Sequence, residues 1–189
     1  YIYCGGGVVI SDAGREVAEF AERIDAVIGF SMMGLTAVPS NNPRCLGMAG
    51  MHGRYASTKA KSEADLIIAA GVRFSDRATG NKQRYTKNAR IIHIDIDPAE
   101  IDKNIPVFGM VGDVRKTLAK LLEATSPQTH TEWRDEVRAM KREEEAVAPE
   151  PGEFHPESIF KKLMEFTDAQ TVFATDVGQH QMWAAQYLK

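Results

Sequence analysis

Between Tyr1 and about Ala124, short apolar runs alternate with stretches of helical period. The runs are Tyr1–Tyr3, Ala26–Phe30, Asp65–Ala70, Arg90–Ile96 and Val107–Val111, each brief and bounded by Gly, Asp or Asn. They are continuously apolar rather than alternating, which suits strands covered on both faces, as in a parallel sheet. The first helix is the clearest. Ala13, Val17, Phe20, Ala21 and Ile24 share one face, and Ser11 or Asp12 is placed to cap it. A short second helix is predicted over Thr58–Ala64. A third runs from Val114 to Glu123, with Leu118, Leu121 and Leu122 inward and Asp113 near its start. Strand–helix alternation of this kind predicts the α/β class: a Rossmann-like, doubly wound, mostly parallel sheet.

Beyond Thr125 the pattern changes. Thr131–Ala146 is a densely charged helix with a sparse apolar face of Trp133, Val137 and Met140, and Pro149-Glu150-Pro151-Gly152 breaks it. It reads as a solvated linker helix followed by a boundary. After the boundary, His155–Phe166 is an amphipathic helix through Ile159, Leu163 and Phe166. Thr171–Thr175 then reads as a strand, and Gln179 onward as a helix. The expected organisation is residues 1–124 as one domain, 125–153 as a linker, and 154–189 as the truncated start of a further α/β domain. The chain opens directly on a strand and stops inside a helix, so we expect a piece of a longer protein.

Composition narrows the function classes. A net charge of −3 gives no electrostatic footprint for nucleic acid or an anionic membrane surface. No apolar run approaches the roughly 20 residues needed to span a bilayer, and no basic-then-apolar signal opens the chain. Cys4 and Cys45 make neither a disulfide framework nor a metal-site spacing, which fits reduced thiols and a cytoplasmic location.

Candidate chemistry gathers at strand ends. Gly5-Gly6-Gly7 follows the first strand, where glycines let a phosphate approach the backbone closely or simply form a tight turn. The spacing departs from the dinucleotide fingerprint, whose third glycine would fall on Ile10, and the second strand ends at Phe30-Ser31 without a ribose-binding acid. Leu46 to Gly53 reads as a Gly/Met loop, either a flexible connector or a soft apolar wall for a flat ring. Arg73 and Arg77 follow the third apolar run, where guanidinium forks suit phosphates or pair with Asp76 or Asp65. Asp95 could accept from ribose hydroxyls, whereas Asp97 before Pro98 suits a cap or turn. Gly112-Asp113-Val114 repeats the theme. The Asp176–Trp183 stretch is a strand-to-helix turn whose free amides at Gln179 and His180 could receive a diphosphate or be an ordinary helix start.

These segments, in this order, resemble the large catalytic subunit of acetolactate (acetohydroxyacid) synthase. The matching stretches are 4–7, 31–34, 50–53, 71–77, 93–101 and, most specifically, 177–186. The resemblance implies a central Rossmann-like domain that helps bind a largely structural FAD. By it, FAD would be lined by Gly5, Gly6, Gly7, Ser31, Met32, Met33, Gly34, Gly50, Met51, His52, Gly71, Arg73, Asp76, Arg77, Asp95, Ile96, Asp113 and Val114. Val177, Gly178, Gln179 and His180 would touch thiamin diphosphate. It also implies a parent enzyme, with Mg2+, that decarboxylates pyruvate and joins the product to pyruvate or 2-ketobutyrate in branched-chain amino-acid synthesis. That parent would be a homodimer or tetramer, with a regulatory small subunit as a further partner. Ser75 stands where many members have an acid. The glutamate that activates thiamin and the segment that holds magnesium fall outside the chain. We therefore expect no catalytic residue, no metal ligand and no carboligase activity in this piece, and a monomer or weak dimer. Pyruvate oxidase, glyoxylate carboligase and oxalyl-CoA decarboxylase stay open as alternatives, as does a non-catalytic nucleotide-binding module. An NAD dehydrogenase is disfavoured by the glycine spacing.

Overall fold

The computed structural model of the chain describes residues 1–75, 79–80, 85, 89–147, 153–168 and 170–188. Among these residues six strands form one sheet: β1 (Ile2–Cys4), β2 (Ile28–Phe30), β3 (Cys45–Met48), β4 (Leu66–Ala70), β5 (Arg90–Asp95) and β6 (Phe108–Val111). All pairings are parallel, in the order β3-β2-β1-β4-β5-β6. The chain thus starts in the middle of the sheet, winds to one edge, then crosses back and winds to the other. This is the doubly wound, Rossmann-like plan that the apolar runs predict.

Strand parity sorts the core into two layers. Tyr1, Tyr3, Ile67, Ala69 and Ile91 belong to one buried cluster, while Ile2, Cys4, Ile68, Ala70 and Ile94 belong to another. Helices α1 (Gly6–Ile10), α2 (Gly14–Arg23) and α4 (Val114–Ala124) cover the second cluster through Val8, Val17, Phe20, Ala21, Val114 and Leu118. Helices α3 (Tyr55–Glu63) and α5 (Thr131–Glu145) cover the first through Ala56, Ala60, Val137 and Met140. The apolar stripe of the charged helix is therefore its docking face, since Val137 and Met140 are buried. Helices α6 (Pro156–Met164) and α7 (Gln179–Tyr187) pack on each other, with Tyr187 against His155 and Phe160.

Four expectations are corrected. Cys45–Met48, part of it read as a glycine-rich loop, is a strand. Its pairing with β2 sets Ile28 opposite Cys45 and Phe30 opposite Met48, a bulge with Gly47 at φ +84°. Thr171–Thr175 forms no ladder, because no strand among the described residues lies beside it to pair. The α2 N-cap is Ala13 rather than Ser11 or Asp12. Ser11 instead ends α1, its hydroxyl donating to the Gly7 carbonyl at 2.8 Å, and Asp12 turns the chain at φ +50°. Finally, α3 begins at Tyr55, three residues before the predicted Thr58. Its cap is supplied by Glu144 of α5, whose Oε1 accepts from the Tyr55 amide at 2.8 Å. Among the described residues no helix is long and apolar enough to cross a membrane.

Candidate functional site at the carboxyl edge of the sheet

A parallel sheet brings the carboxyl ends of all its strands to one edge, where open α/β folds bind ligands. Gly5–Gly7 follow β1, Ser31–Gly34 follow β2, Gly50–His52 follow β3, and Gly71 and Arg73 follow β4. Asp95 ends β5 with Ile96 after it, and Asp113 and Val114 follow β6. Each of these predicted residues therefore lies at the same edge. Asp76 and Arg77 lie outside the described residues.

The glycines divide by what surrounds them. A Cβ on Gly5 would lie 2.1 Å from the Gly71 carbonyl oxygen, one on Gly7 2.6 Å from the Gly71 Cα, and one on Gly34 2.2 Å from the Cys4 oxygen. These glycines let the turns after β1, β2 and β4 cross in contact. The crossing is tied by Gly5 N–H to Ala70 O (2.9 Å), Gly7 N–H to Gly71 O (3.1 Å) and Ser31 N–H to Cys4 O (2.9 Å). Gly6 and Gly50 differ. A Cβ on Gly6 would meet only Met33, and nothing lies within 4 Å of one on Gly50. The Gly6 amide has no acceptor among the described residues. Met33, which faces Gly6, is 74% exposed, and Met51, next to Gly50 in the chain, 89%; Ile96, after β5 at the same edge, is 70% exposed.

The polar groups are equally unequal. Arg73 is exposed. Asp95 is almost buried, one oxygen accepting the Asp97 amide at 2.9 Å. Asp113 caps α4, accepting the Lys116 amide at 3.0 Å, and Val114 points into the core, so only its backbone is free to face a ligand. Asp97 is the cap that the sequence suggests, accepting the Ala99 amide at 2.9 Å. Sequence reasoning passed over His93 and Asn104. His93 is wholly buried, its Nε2 2.9 Å from the Val72 carbonyl, and burial pushes its pKa down. Asn104 donates to the Phe74 carbonyl at 2.5 Å. The available signal was one histidine in an otherwise apolar stretch of β5.

Val177, Gln179 and His180 are exposed around the start of α7, and Gly178 is half-buried. The other end of α7 reaches the loop after β3: Gln186 Nε2 donates to the His52 carbonyl at 2.6 Å, and the Arg54 guanidinium lies 5.7 Å from the Tyr187 ring centroid. An open hollow of about 760 Å³ beside α2, bordered by Arg15, Asn42 and Arg115, takes in none of these residues. Among the described residues, no three His, Cys, Asp or Glu side chains gather as metal ligands.

Uncovered apolar side chains, the Gly6 amide and an exposed arginine, all at one edge of the sheet, suit an aromatic ring system carrying an anionic group. Residues 1–121 match the family described as "Thiamine pyrophosphate enzyme, central domain". The acetolactate synthase large subunit of Cyanidium caldarium is 39% identical over 197 residues, a match covering 100% of this chain and 34% of that protein. Its counterpart from Haemophilus influenzae is 38% identical over 192 residues, covering 97% and 34%. That of Corynebacterium glutamicum is 37% identical over 198 residues, covering 99% and 31%. The chain spans about a third of the length of these relatives. With this fold, this sheet order and that match, the chain belongs to the family of thiamine pyrophosphate enzyme central domains.

Proposed function

We propose that the chain is the FAD-binding central part of an acetolactate synthase-type enzyme, with residues 154–189 opening its diphosphate-binding domain. The observation that carries this reading is the set of uncovered apolar side chains, Met33, Met51 and Ile96, on the turns after β2, β3 and β5, at the sheet edge that also holds the outward-facing Gly6. Three exposed apolar side chains at one edge are costly in water and suit a flat apolar partner. The Gly6 amide and the Arg73 guanidinium supply donors for its anionic part. The second Asp95 oxygen, 3.7 Å from His93 Nε2, would accept from ribose hydroxyls, and the Asp113 cap keeps the α4 start in place at the same edge. At α7, the amides of Gln179 and His180 have no side-chain cap and would receive the diphosphate of thiamin.

In the whole protein, thiamin diphosphate with Mg2+ would supply carbanion stabilisation for joining pyruvate to pyruvate or 2-ketobutyrate. The role of this chain's own residues is to bind and to orient. The α7 contacts to His52 and Arg54 link the proposed thiamin helix to the proposed flavin loop. The parent on this reading is a cytoplasmic homodimer or tetramer with a regulatory small subunit, and this piece alone has no carboligase activity.

Thermal melts of the chain with FAD, ADP, NAD and thiamin diphosphate test the reading. A ligand at a hundredfold excess over its Kd adds about 2.7 kcal/mol. A saturable rise with FAD, a smaller one with ADP and none with NAD is expected. A rise with NAD alone would sink the flavin assignment.

A further inference from the structure

We propose that His93 and Asn104 are positioning residues that pin the backbone on either side of Arg73 and so aim its guanidinium at the anionic part of an adenine nucleotide. The proposal rests on the flavin reading above.

The last ladder bond of β4 runs from the Gly71 amide to the Ile94 carbonyl at 2.8 Å. Gly71 then adopts φ +56°, a left-handed turn that takes the chain off the sheet. Its amide neighbour across the crossing, Gly7, fixes the start of the arm by donating to the Gly71 carbonyl. Beyond it, Val72 and Phe74 are buried while Arg73 and Ser75 are exposed, the alternation of an extended segment. Among the described residues no neighbouring strand takes up the carbonyls of this arm. Side chains do so instead: His93 Nε2 at 2.9 Å from the Val72 oxygen, and Asn104 Nδ2 at 2.5 Å from the Phe74 oxygen. The two pinned carbonyls flank Arg73.

A carbonyl only accepts, so the imidazole nitrogen that meets it carries the hydrogen. The ring itself is braced. Phe74 stands edge-on to it with centroids 5.0 Å apart, and the Asp95 carboxylate lies 3.7 Å from the same nitrogen. An apolar side chain at 93 would fill the space but leave the Val72 carbonyl without its donor. Arginine is rich in rotamers, and fixing its backbone lowers the entropy lost when it closes on a phosphate. The role of His93 is thus exerted through Arg73 rather than by contact with the ligand.

Isothermal titration of the chain with ADP tests this in wild type, His93→Leu, His93→Gln, Asn104→Ala, Arg73→Ala and the pairs Arg73→Ala/His93→Leu and Arg73→Ala/Asn104→Ala. Circular dichroism melts run alongside. Gln places an amide nitrogen where the imidazole Nε2 stands, so it restores the donor. We expect His93→Leu to weaken ADP about tenfold, the equivalent of one buried hydrogen bond. His93→Gln should stay near wild type, and His93→Leu should add little once Arg73 is gone. Asn104→Ala should shift ADP in the same direction, and it carries the test if His93→Leu fails to fold. Full-size His93→Leu and Asn104→Ala effects persisting without Arg73 would overturn the proposal and leave the flavin reading standing. A wild-type chain that binds neither ADP nor FAD would overturn both.

Discussion

A methyl group added at Gly7 would lie 2.6 Å from the Gly71 Cα, backbone against backbone, whereas one at Gly6 would lie 3.3 Å from the Met33 Cβ. Gly7→Ala should therefore cost about 1–3 kcal/mol through overpacking. Gly6→Ala needs only a small shift of an exposed methionine, and should leave the melting temperature nearly unchanged while weakening the FAD binding proposed above. Paired melts and titrations check this, and equal loss of stability in both variants would remove the distinction. Position in the sequence gives these neighbours one role, close approach of a phosphate. The division between them depends on where the end of β4 lies, which residues 5–7 do not encode. Asp25 makes a second residue-scale case. Its carboxylate is buried at φ +52° and meets Arg44 at 3.0 Å, the His130 amide at 2.8 Å and Arg134 at 3.3 Å. Burial alone would raise its pKa, but the His130 amide and the two guanidiniums outweigh that and hold it below the ordinary range. Asn tolerates the left-handed backbone, so Asp25→Asn isolates the charge. Breaking such a pair costs about 3 kcal/mol. A depressed folded pKa gives stability that is present above the unfolded value of about 3.9 and lost as pH falls through the folded one. The gap between wild type and Asp25→Asn should thus be widest near neutrality and close in acid. Urea melts at pH 7 and pH 3 showing a constant gap would contradict this account.

At the scale of elements, local pattern located what local forces make. Strands β1, β2, β4, β5 and β6 stand where continuous apolar runs predict them. Helix α4 starts at Asp113 because that side chain caps its own helix. The failures have distant causes. Helix α3 has Arg54 at its N-cap and no capping side chain of its own, so its start looks weak in sequence. Glu144, 89 residues later in the chain, supplies the acceptor and also meets Arg54 Nε at 3.0 Å. Strand β3 is masked by Gly47, whose left-handed turn makes the bulge and whose composition reads as loop. Glu144→Ala should cost about 1 kcal/mol, the usual worth of an N-cap. Glu144→Gln keeps an acceptor oxygen and should cost less. Amide exchange locates the effect: protection should fall first at Tyr55, Ala56 and Ser57. A loss of stability without that local signature would mean that Glu144 acts through Arg54 alone.

Across the whole molecule, stability is unevenly supplied. Two layers of core cover the sheet, and α5, about 22 Å long at 1.5 Å per residue, straps one side of it. Its start is fixed at Asp25, before β2, and its end at Arg54, after β3, so the strap runs from the amino edge of the sheet to the carboxyl edge. Past residue 147 the picture changes. Ala184 is the one buried residue among those described, while Phe154, Phe166, Val172 and Val177 are largely exposed. Helices α6 and α7 hold each other through Tyr187, and α7 meets the rest of the chain at His52 and Arg54. Opening free energies follow buried apolar contact, so regions with little of it exchange fast. Amides in Pro156–Met164 and Gln179–Tyr187 should therefore exchange far faster than those of β1 and β4, with α5 nearer the sheet than to its successors. That ordering is what a division between a self-sufficient central domain and the opening of another requires. Protection in α6 and α7 equal to that of β1 would mean that the two helices share the central core's stability, and the division would fail.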